Sequence, residues 1–157
     1  VRGSQAGSCN GVFMSGDNGS AATDGVMSRT RPARNIQADI AFSVPIIRRL
    51  CDVDFGGAFA VKDCELIAVQ AIEDNEAVIR RAGQLCRCGR WTLVKTGSRT
   101  DGARAEAATV GPETIQHLKD ARASCLAVET GRVMLADRSR LLAAADAACI
   151  AVVGFSL

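Results

Sequence analysis

Apolar and polar residues repeat along this chain in two rhythms, one near every second position and one near every third or fourth. Residues 1–34 follow neither. They are rich in Gly, Ser, Asn and Arg, a texture that predicts a flexible arm. The chain opens on Val1 rather than Met, which leaves room for an upstream segment. After Pro32 the texture becomes globular. Residues 36–50 predict a helix, with Pro45 either kinking it or marking a late start. Residues 58–62 and 66–71 read as two strands around Asp63-Cys64-Glu65, a hairpin. Residues 73–85 predict a second helix, with Ala77, Ile79 and the alkyl stems of Arg80 and Arg81 at helical spacing, and residues 91–94 a third strand.

The last third alternates cleanly. Pro112 suits a helix start, and Glu113, Thr114, Ile115, His117 and Leu118 carry that helix toward Arg122. Residues 124–129 and 132–136 read as strands around Thr130-Gly131, a second hairpin signal. Asp137 is placed to cap a helix through Ala148, and residues 150–155 form a final buried strand. Strands alternating with helices, plus hairpins, predict an α/β fold. It is a single domain over residues 35–157, with a mixed sheet flanked by helices and the flexible arm before it. No internal repeat is present.

Composition narrows the class. A chain of 157 residues can bury a real core. It is 48% hydrophobic yet only 4% aromatic, with no Tyr, so Ala, Val, Leu and Ile must build that core. The net charge is +2 and the Lys and Arg residues are scattered, which does not indicate a nucleic-acid footprint. No apolar run reaches the ~18 residues of a membrane span, and no secretory pattern opens the chain, so a soluble cytoplasmic protein is expected. Seven cysteines (Cys9, Cys51, Cys64, Cys86, Cys88, Cys125 and Cys149) are an odd count that suits reduced thiols. Cys86-Arg-Cys88 is the one close pair, and its spacing is not that of a zinc knuckle. Cys125 and Cys149 sit inside apolar runs, where a thiol behaves as a small hydrophobe.

The candidate chemistry lies in residues 95–115, KTGSRTDGARAEAATVGPETI. This segment follows the apolar run Trp91-Thr-Leu-Val94 and gathers Lys95, Arg99, Asp101, Arg104 and Glu106 before the helix start at Gly111-Pro112. Cations, backbone N–H groups and a carboxylate between a strand and a helix N-terminus are what a phosphate or metal–phosphate site needs. The same charges also suit a solvated loop, and the local sequence leaves both readings open. Phosphate-loop, dinucleotide and nucleophile-elbow motifs are absent. His117, the only histidine, falls mid-helix and reads as a helix-surface or half-buried residue rather than a base.

From about Pro32 to Gly154 the order of residues resembles the C-terminal domain of the LpxI-type UDP-2,3-diacylglucosamine pyrophosphatases of lipid A biosynthesis. Ala38-Asp-Ile40, Asp54-Phe-Gly56, Val61-Lys-Asp63, Ala68-Val-Gln-Ala-Ile-Glu73 and Arg80-Arg-Ala-Gly83 carry the resemblance. It continues through Leu93-Val-Lys95, Arg104, Thr109-Val-Gly-Pro-Glu-Thr-Ile115, Leu126-Ala-Val-Glu129, Asp137-Arg138, Ala145-Asp146 and Ile150-Ala-Val-Val-Gly154. No single piece is specific; their order and spacing together are.

The resemblance implies a family of two α/β domains with the active site between them. Its members use Mg²⁺ to hydrolyse the pyrophosphate of UDP-2,3-diacylglucosamine by water attack at the α-phosphorus, releasing UMP and 2,3-diacylglucosamine 1-phosphate. Carried onto this chain, it makes Glu106, Lys95 and Arg104 the catalytic set, and Glu106 and Glu73 the metal residues. Thr109, Gly111, Arg99, Asp101 and Thr114 become substrate contacts. It also implies the missing N-terminal domain as a partner, a homodimer, and peripheral membrane contact through the acylated substrate.

Several positions depart from the family pattern. Ser98 stands at its second Lys, with Arg99 beside it; Asp101-Gly102 replaces Gln-Asp, Glu106 replaces the essential Asp, and Ala108 replaces Pro. In the second cluster Gln70 stands for Glu, Asp74 for Gly, and Asn75-Glu76 for Thr-Asp, while Gly56-Gly57 replaces Gly-Gln. Two readings of different class follow. One is a divergent metal-dependent pyrophosphatase domain. The other is a catalytically weakened or inactive homologue that serves as a sugar-nucleotide- or lipid-binding or dimerisation module.

Overall fold

The computed structural model describes residues 19–51, 57–98 and 108–157. In chain order the elements are β1 (Ser20–Ala21), β2 (Gly25–Val26), α1 (Arg34–Cys51), β3 (Ala58–Lys62), β4 (Glu65–Val69), α2 (Asn75–Leu85) and β5 (Thr92–Lys95). They continue with β6 (Ala108–Val110), α3 (Pro112–Asp120), β7 (Cys125–Glu129), β8 (Val133–Leu135), α4 (Arg138–Ala147) and β9 (Ala151–Phe155).

Six strands form the main sheet in the order β2-β9-β7-β5-β3-β4, and three form a smaller one, β1-β8-β6. The centre β9-β7-β5 is parallel, whereas β2, β3 and β4 pair antiparallel, so the sheet is mixed as expected. The pleat sends alternate residues of each central strand to opposite faces. Phe59, Val61, Val94 and Ala127 meet Ile47 of α1 on one side, and Ala58, Ala60, Leu93, Leu126 and Val128 meet α2, α3 and α4 on the other. This double covering is why the parallel strands read as unbroken apolar runs.

The first hairpin forms as expected. Asp63 and Cys64 both take positive φ, the two-residue turn whose twist suits antiparallel strands, and the Cys64 N–H donates to Asp39 Oδ1 at 2.8 Å. The second hairpin does not form. Both edges of β7 are taken by parallel neighbours, and β8 turns away to pair with β6 and β1. Helix α1 begins at Arg34 and runs through Pro45, so the late start is excluded. The ring denies the Ala41 carbonyl its helical donor, and the apolar contacts of Ile40, Val44 and Ile47 on the sheet hold the helix together.

The arm expected over residues 1–34 is docked where it is described. The Ala22 N–H donates to Val133 O at 2.9 Å, the Met27 N–H to Val152 O at 2.8 Å and the Thr30 N–H to Asp146 Oδ1 at 2.9 Å. Residues 1–18 lie outside the described residues. Cys125 is buried as its run suggested, but Cys149 is exposed, at positive φ in the turn before β9. Among the described residues no helix is long and apolar enough to cross a membrane.

Candidate functional site

Helices α2 and α3 run side by side in the same direction: Glu76 lies 3.9 Å from His117, and a Cβ on Gly83 would meet Ala121 at 2.9 Å. Their N-termini therefore open at the same edge, the one where β5 and β7 end. Crevices outside the carboxyl ends of parallel strands are where open α/β sheets bind ligands, and helix N-termini there present backbone N–H groups and positive dipole ends. The α2 terminus is capped by Asp74, which accepts from Ala77 N–H at 2.8 Å. At α3, Pro112 occupies the first turn and the Gly111 N–H donates to Thr114 Oγ1 at 3.2 Å. A Cβ on Gly111 would come within 2.8 Å of Glu113 Oε2, so the missing side chain lets the Glu113 carboxylate fold back over the terminus.

Lys95 ends β5 and is only 6% exposed. Its ammonium donates to Asn75 Oδ1 at 3.0 Å and reaches Gln70 Oε1 at 3.5 Å. Among the described residues both partners are neutral amides, at two positions where the family resemblance implies Thr and Glu. Burial pulls the Lys95 ammonium down from the ordinary 10.5 of a lysine to about 8. A cation so placed favours an incoming anion, because the anion would return the counter-charge that burial has removed.

The other expected site residues divide three ways. Thr109 on β6 is exposed, and Gly111 and Thr114 begin α3, so they share the edge with Lys95. Arg99, Asp101, Arg104 and Glu106 lie outside the described residues. Glu73 stands just before α2, already engaged: its Oε2 accepts from Ala71 N–H at 2.9 Å and its Oε1 lies 2.8 Å from Arg81 Nη1. Hydrogen bonds from backbone N–H groups, helped by Arg81, hold its carboxyl below the usual range.

Glu129, which the sequence reading did not single out as a site residue, is a buried carboxylate at the same edge. It lies one residue beyond Val128, the register partner of Lys95, and accepts from the Gly97 N–H at 3.3 Å. The signal was there: a carboxylate closing an apolar run, Cys125-Leu-Ala-Val128.

Among the described residues no group of three or more His, Cys, Asp or Glu side chains forms a metal cluster. Magnesium does not need one, because it is commonly held by one or two carboxylates, waters and substrate phosphates. Glu73 fits such a role only if released from Arg81. A separate cleft of about 510 Å³ opens between α2 and α3, lined by Glu76, Ile79, Arg80, Gly83, His117 and Ala121. Lys95 does not line it, and its mixed charges answer no single ligand.

The family model of the LpxI C-terminal domain matches residues 23–153. The chain belongs to the LpxI C-terminal domain family. A curated relative, the "UDP-2,3-diacylglucosamine pyrophosphatase LpxI" of Caulobacter vibrioides, is 28% identical over 137 residues. That alignment covers 83% of this chain but 49% of the relative, so the chain spans about half the relative's length. The match begins before Pro32 and so takes in β2 and the docked residues from 23 onward, but not β1 or Ala22.

Proposed function

We propose that this chain is the C-terminal half-site of a divergent, magnesium-dependent UDP-2,3-diacylglucosamine pyrophosphatase of lipid A biosynthesis. In this reading it closes its cleft with an N-terminal domain and works in the cytoplasm on a substrate drawn from a membrane surface. The observation that carries the reading is Lys95: a dry cation bonded to the first residue of α2, at the carboxyl edge of a parallel sheet. Such an arrangement binds phosphate oxygens and stabilises the charge that develops on them as the pyrophosphate bond breaks. Lys95 and Arg104 neutralise that charge, while Thr109, Gly111, Thr114, Arg99 and Asp101 position the substrate. Glu106 orients or deprotonates the attacking water. A magnesium ion, bound by Glu106 with Glu73 and the substrate phosphates, would add electrophilic activation of the phosphorus.

A second reading rests on Gln70 and Asn75. Amides face Lys95 where the family pattern has Glu and Thr, a change that suits a module retaining ligand or dimer contacts without turnover. One experiment separates the two. The chain is incubated with UDP-2,3-diacylglucosamine and Mg²⁺, with and without a family member's N-terminal domain, and UMP is followed. UMP release that is lost on chelation and in Glu106→Ala supports the enzyme. Ligand binding without UMP release in either arm supports the module.

A further inference from the structure

At the opposite edge of the sheet, the connection from α2 to β5 holds a pair of thiols that the site above does not use. Cys86 and Cys88 occupy the first and third positions of a turn closed by the Gly89 N–H on Cys86 O at 2.9 Å. Their sulfurs lie 3.6 Å apart. The turn is held firmly. Gly89 sits at φ +65°, where a Cβ would come within 2.7 Å of Arg122 Cβ, and the Arg90 N–H donates to Arg122 O at 2.7 Å. Lys62, reaching over from the end of β3, donates to Gly89 O at 2.7 Å and so keeps its ammonium beside the pair.

The two thiols differ in the way a redox pair must. Cys88 is exposed and Cys86 is buried. The hydrogen bond from the Cys86 thiol, and then Lys62, draw the Cys88 thiol below the ordinary cysteine range, while burial pushes Cys86 above it. An exposed, low-lying thiol next to a second sulfur is the environment in which thiolates attack oxidants.

We propose that Cys86 and Cys88 form a dithiol that a hydroperoxide converts reversibly into an intrachain disulfide. Cys88 attacks and Cys86 resolves. The Cys88 thiolate takes the outer oxygen of the peroxide with its hydrogen, the O–O bond breaks, and a sulfenic acid forms while the departing alkoxide or hydroxide takes a proton from water. The Cys86 sulfur then attacks the Cys88 sulfur, the S–O bond breaks, and the Cys86 proton goes with the departing hydroxide as water. Sulfur is oxidised by two electrons and the peroxide is reduced by two. Closing the gap from 3.6 Å to bonding distance needs side-chain rotation within the turn.

Trypsin makes the bond directly visible, because it cuts after Arg81, Arg87 and Arg90 and so separates the two cysteines. The reduced chain is treated with one equivalent of hydrogen peroxide, alkylated and digested without reductant. The expected product is residues 82–87 joined to residues 88–90 with two hydrogens lost, released by dithiothreitol. Cys86→Ser should leave Cys88 trapped as a sulfenic acid that dimedone labels, and Cys88→Ser should leave Cys86 fully alkylated. Lys62→Met should slow oxidation by a factor on the order of 10, as its cation no longer favours the thiolate. Equal alkylation of Cys86 and Cys88 before and after peroxide would overturn the proposal. So would a disulfide that uses Cys64, or sulfinic acid at Cys88 with no linked peptides.

Discussion

Replacing Lys95 by Met should stabilise the folded chain at neutral pH while weakening phosphate binding. Lys95 is 6% exposed, and its ammonium reaches only amide oxygens among the described residues. Its fall from 10.5 to about 8 amounts to a penalty on the charged form of about 3 kcal/mol. Methionine keeps the apolar stem and drops the charge, but it also removes the hydrogen bond to Asn75, worth about 1 kcal/mol. The expected net gain near pH 7 is about 2 kcal/mol.

The pH dependence is the sharper readout. Between about pH 8 and 10.5 the unfolded lysine keeps a proton that the folded one has lost, so this group makes wild-type stability rise with pH. Cys125 acts in the opposite sense. Burial pushes its thiol upward, so above its ordinary 9.0 the unfolded chain ionises while the folded chain cannot, and stability falls. Both chains share that loss, and the difference between them isolates Lys95. Urea unfolding can be followed by the fluorescence of Trp91, the single tryptophan and fully buried. The advantage of Lys95→Met should shrink by about 2–3 kcal/mol from pH 7 to 10.5. A difference that stays constant across that range would refute the desolvated lysine.

Two further variants test how the sheet and the site edge are held. A Cβ on Gly154 would collide with the Thr23 carbonyl, so Gly154→Ala should force β2 off β9. We expect a loss of about 1–3 kcal/mol and faster hydrogen exchange at the Met27 amide, which bonds Val152 O; unchanged exchange would count against the docked strand. Asp74→Ala removes the cap on α2 and should cost about 1 kcal/mol in urea unfolding; an unchanged midpoint would show that the cap does not hold the helix start.

Much of the fold was legible because long elements write their period into the chain. The helix over residues 73–85, the hairpin at Asp63-Cys64 and the closing apolar strand all lie within a residue or two of their expected bounds. The second hairpin misled because turn chemistry at Thr130-Gly131 fits a chain reversal of any kind. Which edge β8 takes depends on β5 and β9 already occupying both sides of β7, and that is a non-local fact. Strands β1 and β2, two residues each, are too short to show a period, so their segment read as an arm. At the site, the types and order of Lys95, Thr109, Gly111 and Thr114 were readable. The engagement of Glu73 with Arg81 was not.

What the sequence determined by itself is the set of local elements, the Val- and Ala-rich parallel strands, and the strand-to-helix order that brings Lys95 and Gly111 to element ends. Tertiary structure alone decided the neighbours: the amides of Gln70 and Asn75 beside Lys95, Lys62 beside Cys88, and a docked N-terminal segment along β9. The reason is the range of the forces. Periodicity and capping act within a few residues, whereas desolvation and sheet pairing are set by groups that packing brings together from distant parts of the chain.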